Sequence, residues 1–264
     1  MIPSQRRSRI FEELRNRGSV RVVELADLFS VSEMTVRRDL DLMQESGLLV
    51  KVHGGAVVSD KSAEEPGFEV KVLQMATEKA AIAREAIKYV APGNSVAVSA
   101  GSTTWALAKL LPTVPNVTVV TNSLSLGVEL HDKFPMLPLI MTGGVPTPSG
   151  ALVGLVADVA IESLYVDVLF LGVHGMDPEA GLTTPNLAEA QTNRTLLRYA
   201  RRVVVLADHT KWRKIGMARI APISVADVLI TDDGISDEAR ISLADSVGDL
   251  TVAMVEGERM ELSS

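Results

Sequence analysis

Two groups of side chains in this chain have types and spacing suited to chemistry. The first is a series of small, hydroxylated turns: Gly101-Ser102-Thr103-Thr104, Thr121-Asn122-Ser123 and Thr142-Gly143-Gly144, each behind a short β-branched or apolar run. Glycine lets backbone approach a ligand closely, hydroxyls add hydrogen bonds, and the free amides of a helix N-terminus suit an anion such as phosphate. Taken singly, each turn also serves as nothing more than a helix cap. Three of them at consecutive strand ends describe a binding crevice. Farther on, Glu189 lies on a helix behind a loop running from Gly175 to Gly181-Leu182-Thr183, facing either the crevice or solvent. Asp208-His209-Thr210-Lys211 follows another apolar run, making Lys211 either a mobile cation at the same edge or a surface lysine. The second group is basic: Arg6, Arg7, Arg9, Arg15 and Arg17 crowd one stretch, and Arg37-Arg38 stand together later.

Several chemistries are excluded. Neither a Walker loop nor a Gly-x-Gly-x-x-Gly run is present, so nucleotides are poor candidates. Cysteine is absent and the four histidines, His53, His131, His174 and His209, show no metal-ligand spacing. No metal site, cofactor or catalytic set is therefore expected. No run of eighteen apolar residues and no basic leader occurs, which predicts a soluble cytoplasmic protein without membrane contact. The net charge of −7 divides unevenly, with +1 over residues 1–58 and −8 over the rest. Phosphate contact needs a local basic face rather than a basic protein, and the acidic remainder argues against that part lying on DNA.

The elements that must position these groups begin with three short helices. Ile10, Phe11 and Leu14 recur at helical spacing over residues 6–16, and Gly18 stops that helix. Val22, Leu25, Ala26 and Phe29 share a face of a second helix over 22–29. Ser32 then caps a third over 33–46, with Val36, Leu40 and Met43 inward, Thr35, Arg37, Arg38 and Asp41 outward, and Gly47 as its terminator. This is a helix-turn-helix, whose third helix enters the major groove. Residues 48–58 alternate and turn at Gly54-Gly55, giving a two-stranded wing with Lys51 and His53 near the tip, in reach of phosphate or the minor groove. Arg37-Arg38 on an isolated helix would read equally as a solvated, salt-bridged face; the cap, turn and wing favour DNA.

Residues 1–58 are thus expected as a winged helix-turn-helix domain, 59–73 as a polar Pro-Gly linker, and 74–264 as one α/β domain. In the last, a helix over 77–90 precedes strands at 95–98, 117–120, 137–141, 166–172, 202–207, 228–231 and 250–255, with helices at 105–111 and 124–130. Continuous apolar strands separated by helices predict a doubly wound, mostly parallel sheet, with ligands bound outside the carboxyl ends of its strands.

Residues 20–56 resemble the signature of the DeoR family of bacterial transcriptional regulators. The resemblance rests on Glu24-Leu25-Ala26, Val31-Ser32, Thr35-Val36-Arg37-Arg38-Asp39-Leu40, Gly47 and His53-Gly54-Gly55-Ala56. It continues through Ser99-Ala100-Gly101-Ser102-Thr103, Thr121-Asn122-Ser123, Gly143-Gly144, Gly154, Gly175, Gly181-Leu182-Thr183, Asp208…Lys211 and Ile230-Thr231-Asp232. It implies a repressor whose recognition helix includes Thr35, Arg37 and Arg38, with Asp39 structural and pairing an arginine. It also implies a sensor similar in fold to ribose-phosphate isomerases and glucosamine-phosphate deaminases, taking a phosphorylated sugar or polyol. The family commonly carries aspartate where this chain has Ser99, which removes the obvious general base. An isomerase or deaminase fused to a DNA-binding head is the alternative, with Asp208 and Glu189 as its remaining candidates. One helix-turn-helix contacts too few base pairs for useful specificity, so a homodimer or larger homo-oligomer on double-stranded operator DNA is expected.

Overall fold

The computed structural model describes residues 3–45, 49–58 and 68–255. Gly47 and residues 59–67 of the expected linker lie outside the described residues. Contacts divide the chain into two compact units, Met1–Gln74 and Met75–Ser264.

The first unit runs α1 (Pro3–Arg17), β1 (Ser19–Arg21), α2 (Val22–Phe29), α3 (Glu33–Glu45), β2 (Leu49–Val52), β3 (Gly55–Val58) and α4 (Phe68–Leu73). The last of these makes the C-terminal part of the expected linker helical. Its core is the set read from helical spacing: Ile10, Phe11 and Leu14 pack with Val22, Leu25, Phe29, Val36, Leu40 and Met43, and Leu49 and Ala56 join from the wing. The turn between α2 and α3 is made by Ser30, whose left-handed backbone (φ 53°) sends its N–H back to α2 carbonyls. β1 was not expected. It pairs antiparallel with β3, giving the sheet order β1-β3-β2. Gly55 permits this pairing, since a Cβ there would lie 2.1 Å from the Val20 carbonyl oxygen.

One polar contact crosses this core. Arg6 of α1 donates Nε–H to Asp39 Oδ2 of α3 at 2.6 Å, with both side chains at least nine-tenths buried. Asp39 therefore has the arginine partner that was expected of it, and Arg6 is withdrawn from the basic surface of α1.

The second unit holds α5 (Ala76–Ala86), β4 (Ser95–Val98), α6 (Ser102–Ala108), β5 (Thr118–Thr121), α7 (Leu124–Lys133), β6 (Leu139–Met141), β7 (Val145–Pro146) and β8 (Leu152–Val153). It continues with α8 (Leu155–Glu162), β9 (Val168–Gly172), β10 (Gly175–Asp177), β11 (Gly181–Thr184), α9 (Leu187–Arg198) and β12 (Val203–Leu206). β13 (Ala218–Ala221), β14 (Val228–Asp232), α10 (Asp237–Ala244) and β15 (Leu250–Ala253) complete it. Seven strands form one parallel sheet in the order β15-β14-β12-β9-β4-β5-β6. The chain builds outward from β4 to β6, returns to lay β9 against the other side of β4, and builds outward again. This is the doubly wound arrangement, with its switch point between β4 and β9.

Alternation along the strands feeds two cores. Val96, Val98, Val168 and Phe170 face α5, α6 and α7, whereas Ala97, Leu169 and Leu171 face α8, α9 and α10. Two small antiparallel sheets, β7-β8 and β10-β11-β13, were not expected. No helix among the described residues is long and apolar enough to cross a membrane.

The Arg6–Asp39 pair gives a stability prediction. Removing one member of a buried pair leaves the other charge without a partner, at a cost of about 3–5 kcal/mol. Both tryptophans, Trp105 and Trp212, lie in the second unit. Asp39→Ala should therefore shift part of the far-UV dichroism transition in urea to lower concentration while the tryptophan fluorescence transition stays in place. Superimposable dichroism curves for wild type and variant would show the pair to be dispensable.

Candidate functional site

The first unit presents α3 and the wing. Ser32 sits at the start of α3, where its Oγ accepts the Thr35 N–H at 3.2 Å and lies 2.9 Å from Thr35 Oγ1. Its expected cap role is visible in that bond. Arg37 is exposed and donates Nη2–H to Glu33 Oε2 at 2.9 Å, one helical turn back. Arg38 is exposed and has no ion pair among the described residues. Lys51 of β2 forms an ion pair with Asp41, and its N–H donates to Gln44 Oε1 at 3.0 Å. That lysine thus straps the wing to α3. His53 is exposed in the turn where Gly54 adopts a φ of +78°. Met34, 74% exposed, is the most exposed apolar residue of α3 and had no place in the expectations drawn from the sequence. An apolar residue at an outward helical position gives no periodic signal.

In the second unit the turns after β12, β9, β4 and β5 stand side by side, because those strands are neighbours in that order. The switch point lies in their midst, where open α/β sheets bind ligands. Ser99 and Gly101 follow β4, Asn122 follows β5, Gly175 opens β10 just after β9, and Lys211 follows β12. α6 begins three residues earlier than its spacing predicted, so Ser102, Thr103 and Thr104 form its first turn.

Many of the polar groups here hold the crevice in shape. Ser99 is 1% exposed, and its Oγ accepts the Gly172 N–H at 2.9 Å, tying β4 to β9. Thr104 donates its hydroxyl to the Ser99 and Gly101 carbonyls at 2.7 and 2.9 Å. Thr121 donates to the Val98 carbonyl at 2.7 Å and accepts the Ser123 N–H at 3.0 Å. Asn122 is a brace: its Oδ1 accepts the Ala100 N–H at 2.9 Å, and its Nδ2 donates to the Leu152 carbonyl at 3.2 Å. The glycines act similarly. Gly144 has a φ of +113° and would place a Cβ 2.6 Å from the Val153 carbonyl, beside Gly143 at +69°. A Cβ on Gly175 would lie 1.9 Å from the Lys214 carbonyl. Gly101, by contrast, is in extended backbone, where a Cβ would meet Thr104 Oγ1 at 3.0 Å.

What stays accessible is narrower. Gly101 and Ser102 are half-buried, whereas Thr103 is only 6% exposed. Glu189, half-buried on α9, receives the hydroxyls of Thr147 at 2.7 Å, Ser149 at 2.6 Å and Thr184 at 3.2 Å. Thr147 and Ser149 belong to the β7–β8 turn, which meets the segment after β5, where Leu124 N–H donates to the Gly150 carbonyl and Leu152 N–H of β8 to the Asn122 carbonyl. Glu189 is thereby linked to the crevice wall through hydroxyls that the sequence did not connect with it.

Lys211 Nζ lies 3.9 Å from Asp208 Oδ2. Burial pushes the Asp208 carboxyl up, but Lys211, the Thr210 hydroxyl and N–H, and Lys79 together hold it below the usual carboxylate range. Asp208 Oδ2 is buried without a hydrogen-bond partner among the described residues. Its neighbour His209 forms a pair missed in the sequence, with Nδ1 2.6 Å from Asp232 Oδ2 and its N–H on Asp232 Oδ1 at 2.8 Å. The signal was available, since two strand ends carry Asp208-His209 and Asp232, but only the strand order makes them neighbours. No cluster of three or more His, Asp or Glu residues among those described is placed to hold a metal ion.

Comparison with known proteins agrees with both halves of this geometry. The DeoR-like helix-turn-helix domain matches residues 6–62, and the DeoR C-terminal sensor domain matches residues 74–233. The regulator GolR of Listeria innocua is 36% identical over 89% of this chain and 93% of its own. A putative aga operon transcriptional repressor of Escherichia coli O157:H7 is 33% identical over 96% and 92%. The glycerol-3-phosphate regulon repressor of Escherichia coli K12 is 30% identical over 88% and 92%. Among solved structures, ribose 5-phosphate isomerase A of Methanocaldococcus jannaschii overlaps 53% of this chain and 55% of its own at a TM-score of 0.39 and 18% identity, too slight a likeness to carry chemistry across. With both domains matched in order and relatives similar over nearly the whole length, the chain belongs to the DeoR family of helix-turn-helix transcriptional regulators.

Proposed function

We propose that this regulator is a cytoplasmic repressor of carbohydrate-metabolism genes, released or tightened on its operator by a phosphorylated sugar or polyol bound at the β4–β9 switch point. The observation that carries the ligand reading is the set of turns brought side by side at this switch point. Turns from four adjacent strands converge there, braced by Asn122, Thr121 and Thr104, with Lys211 as a cation beside the buried Asp208. Gly101 and Ser102 would receive the ligand from one side and Lys211 from the other. Relatives named for aga and glycerol-3-phosphate regulons agree with that ligand class.

The same geometry favours sensing over catalysis. The hydroxyl of Ser99, where a general base would stand, is committed to the Gly172 N–H. The oxygens of Glu189 already receive three hydroxyls. Neither residue is poised to take a proton from a substrate, and the remaining candidate, Asp208, is buried beside Lys211 with its carboxyl held below the usual carboxylate range, which makes it a weak base. A ligand shifts operator affinity only as far as it binds one state better than the other, typically about 1–3 kcal/mol of coupling. Two copies on a two-fold-symmetric operator would present two α3 helices, as one head contacts too few base pairs.

Two experiments test this. In a thermal-shift panel of sugar phosphates, polyol phosphates and free sugars, one phosphorylated compound should raise the melting temperature of the wild type, and Lys211→Ala should abolish that shift. A wild type indifferent to every compound would remove the phosphorylated-ligand reading. In gel-shift assays Arg37→Ala and Arg38→Ala should each weaken operator binding about tenfold, the usual scale for a charged contact to DNA, whereas Lys211→Ala should bind operator as the wild type does. Undiminished binding by both arginine variants would move the DNA contact away from α3.

A further inference from the structure

The helical phase of α3 decides which side chains meet a base edge. At 3.6 residues per turn, Met34, Arg38 and Asp41 fall on one stripe, spaced i, i+4 and i+7. Val36, Leu40 and Met43 occupy the opposite side and are at most 1% exposed, with Asp39 held inward by Arg6. Thr35 and Arg37 flank the stripe. Both are tethered within the helix, Thr35 to Ser32 at 2.9 Å and Arg37 to Glu33 at 2.9 Å. The stripe itself begins with Met34, the second residue of α3, and continues to Arg38, exposed and without an ion pair among the described residues. Its third member, Asp41, would repel phosphate, but Lys51 of the wing pairs with it.

A methionine 74% exposed on the crown of such a helix leaves a large apolar side chain in water. The thioether is flexible, polarisable and apolar. The apolar feature of the major groove is the C5 methyl of thymine, and residues near the N-terminus of a recognition helix are those that reach base edges. We propose that Met34 is a specificity-determining residue that packs on the methyl of one thymine in each operator half-site, while Arg38, one turn along the same stripe, donates to O6 and N7 of a guanine. The rise of about 6 Å between residues i and i+4 spans about two base pairs at about 3.4 Å each, so thymine and guanine stand about two base pairs apart. Arg37 and Thr35 serve positioning rather than reading. The assignment rests on the head binding operator DNA.

The test begins with selection from a randomised duplex library by the full-length wild type and by Met34→Ala. The wild type should enrich a half-site with a fixed thymine near a fixed guanine, and the variant should keep the guanine while losing the preference for thymine. Uracil in place of that thymine removes the methyl alone. It should weaken the wild type about fourfold, the worth of one buried methyl, and leave Met34→Ala unchanged. Because the perturbation is on the DNA, a folding defect in the variant cannot imitate this result. An equal thymine-to-uracil ratio for both proteins at every position would overturn the assignment while leaving the DNA-binding reading in place. No enriched sequence for the wild type would overturn the DNA-binding reading, and this assignment with it.

Discussion

β4 and β9 lie side by side although four strands and three helices separate them in the chain. That adjacency creates the switch point of the second unit's sheet. On one side of it the helices that follow β4 and β5 pack against one face; on the other side α9 and α10 pack against the opposite face. At the reversal the helices leave to opposite faces of the sheet, which is where open α/β sheets bind ligands. Ser99 and Gly172 bond across the junction, and the turns on either side inherit their spacing from it. The Ser99 hydroxyl receives a backbone N–H and holds two strands in register.

The walls of that crevice are stiffened by backbone-directed hydrogen bonds from short side chains. Asn122 joins the turn after β4 to β8, and Thr104 and Thr121 return their hydroxyls to nearby carbonyls. Buried donors and acceptors must be satisfied, so the buried side chains of these turns engage most of their own polar groups. Few remain for a ligand, and those few are held in a fixed geometry.

In the first unit the comparable constraint is the Arg6–Asp39 ion pair. It crosses an otherwise apolar core and fixes the rotation of α3 about its axis relative to α1. Rotation by one residue would carry the stripe of Met34 and Arg38 about 100° around the helix. The helix proposed to meet DNA is therefore oriented by a buried charge pair on its inward side, and the Lys51–Asp41 contact holds the wing to the same helix.

Periodicity alone identified the three head helices, the wing and all seven strands of the large sheet, because each buries a face large enough to impose a period of 3.6 or a continuous apolar run. Six further short strands did not announce themselves: β1 and β13 pair with strands distant in sequence, and β7-β8 and β10-β11 are short hairpins without a continuous apolar run. The same division runs through the site residues. The types and order of Gly101, Ser102, Thr121, Asn122 and Lys211 are local facts, and so is the cap at Ser32. Which hydroxyls are spent on the fold, that Glu189 meets Thr147 and Ser149, that His209 meets Asp232, and that Met34 rather than Arg37 crowns α3 are decided only when separate elements are brought together. A sequence records what each residue can offer; a hydrogen bond or an exposed stripe depends on what stands opposite, and that is set by strand order and helix rotation.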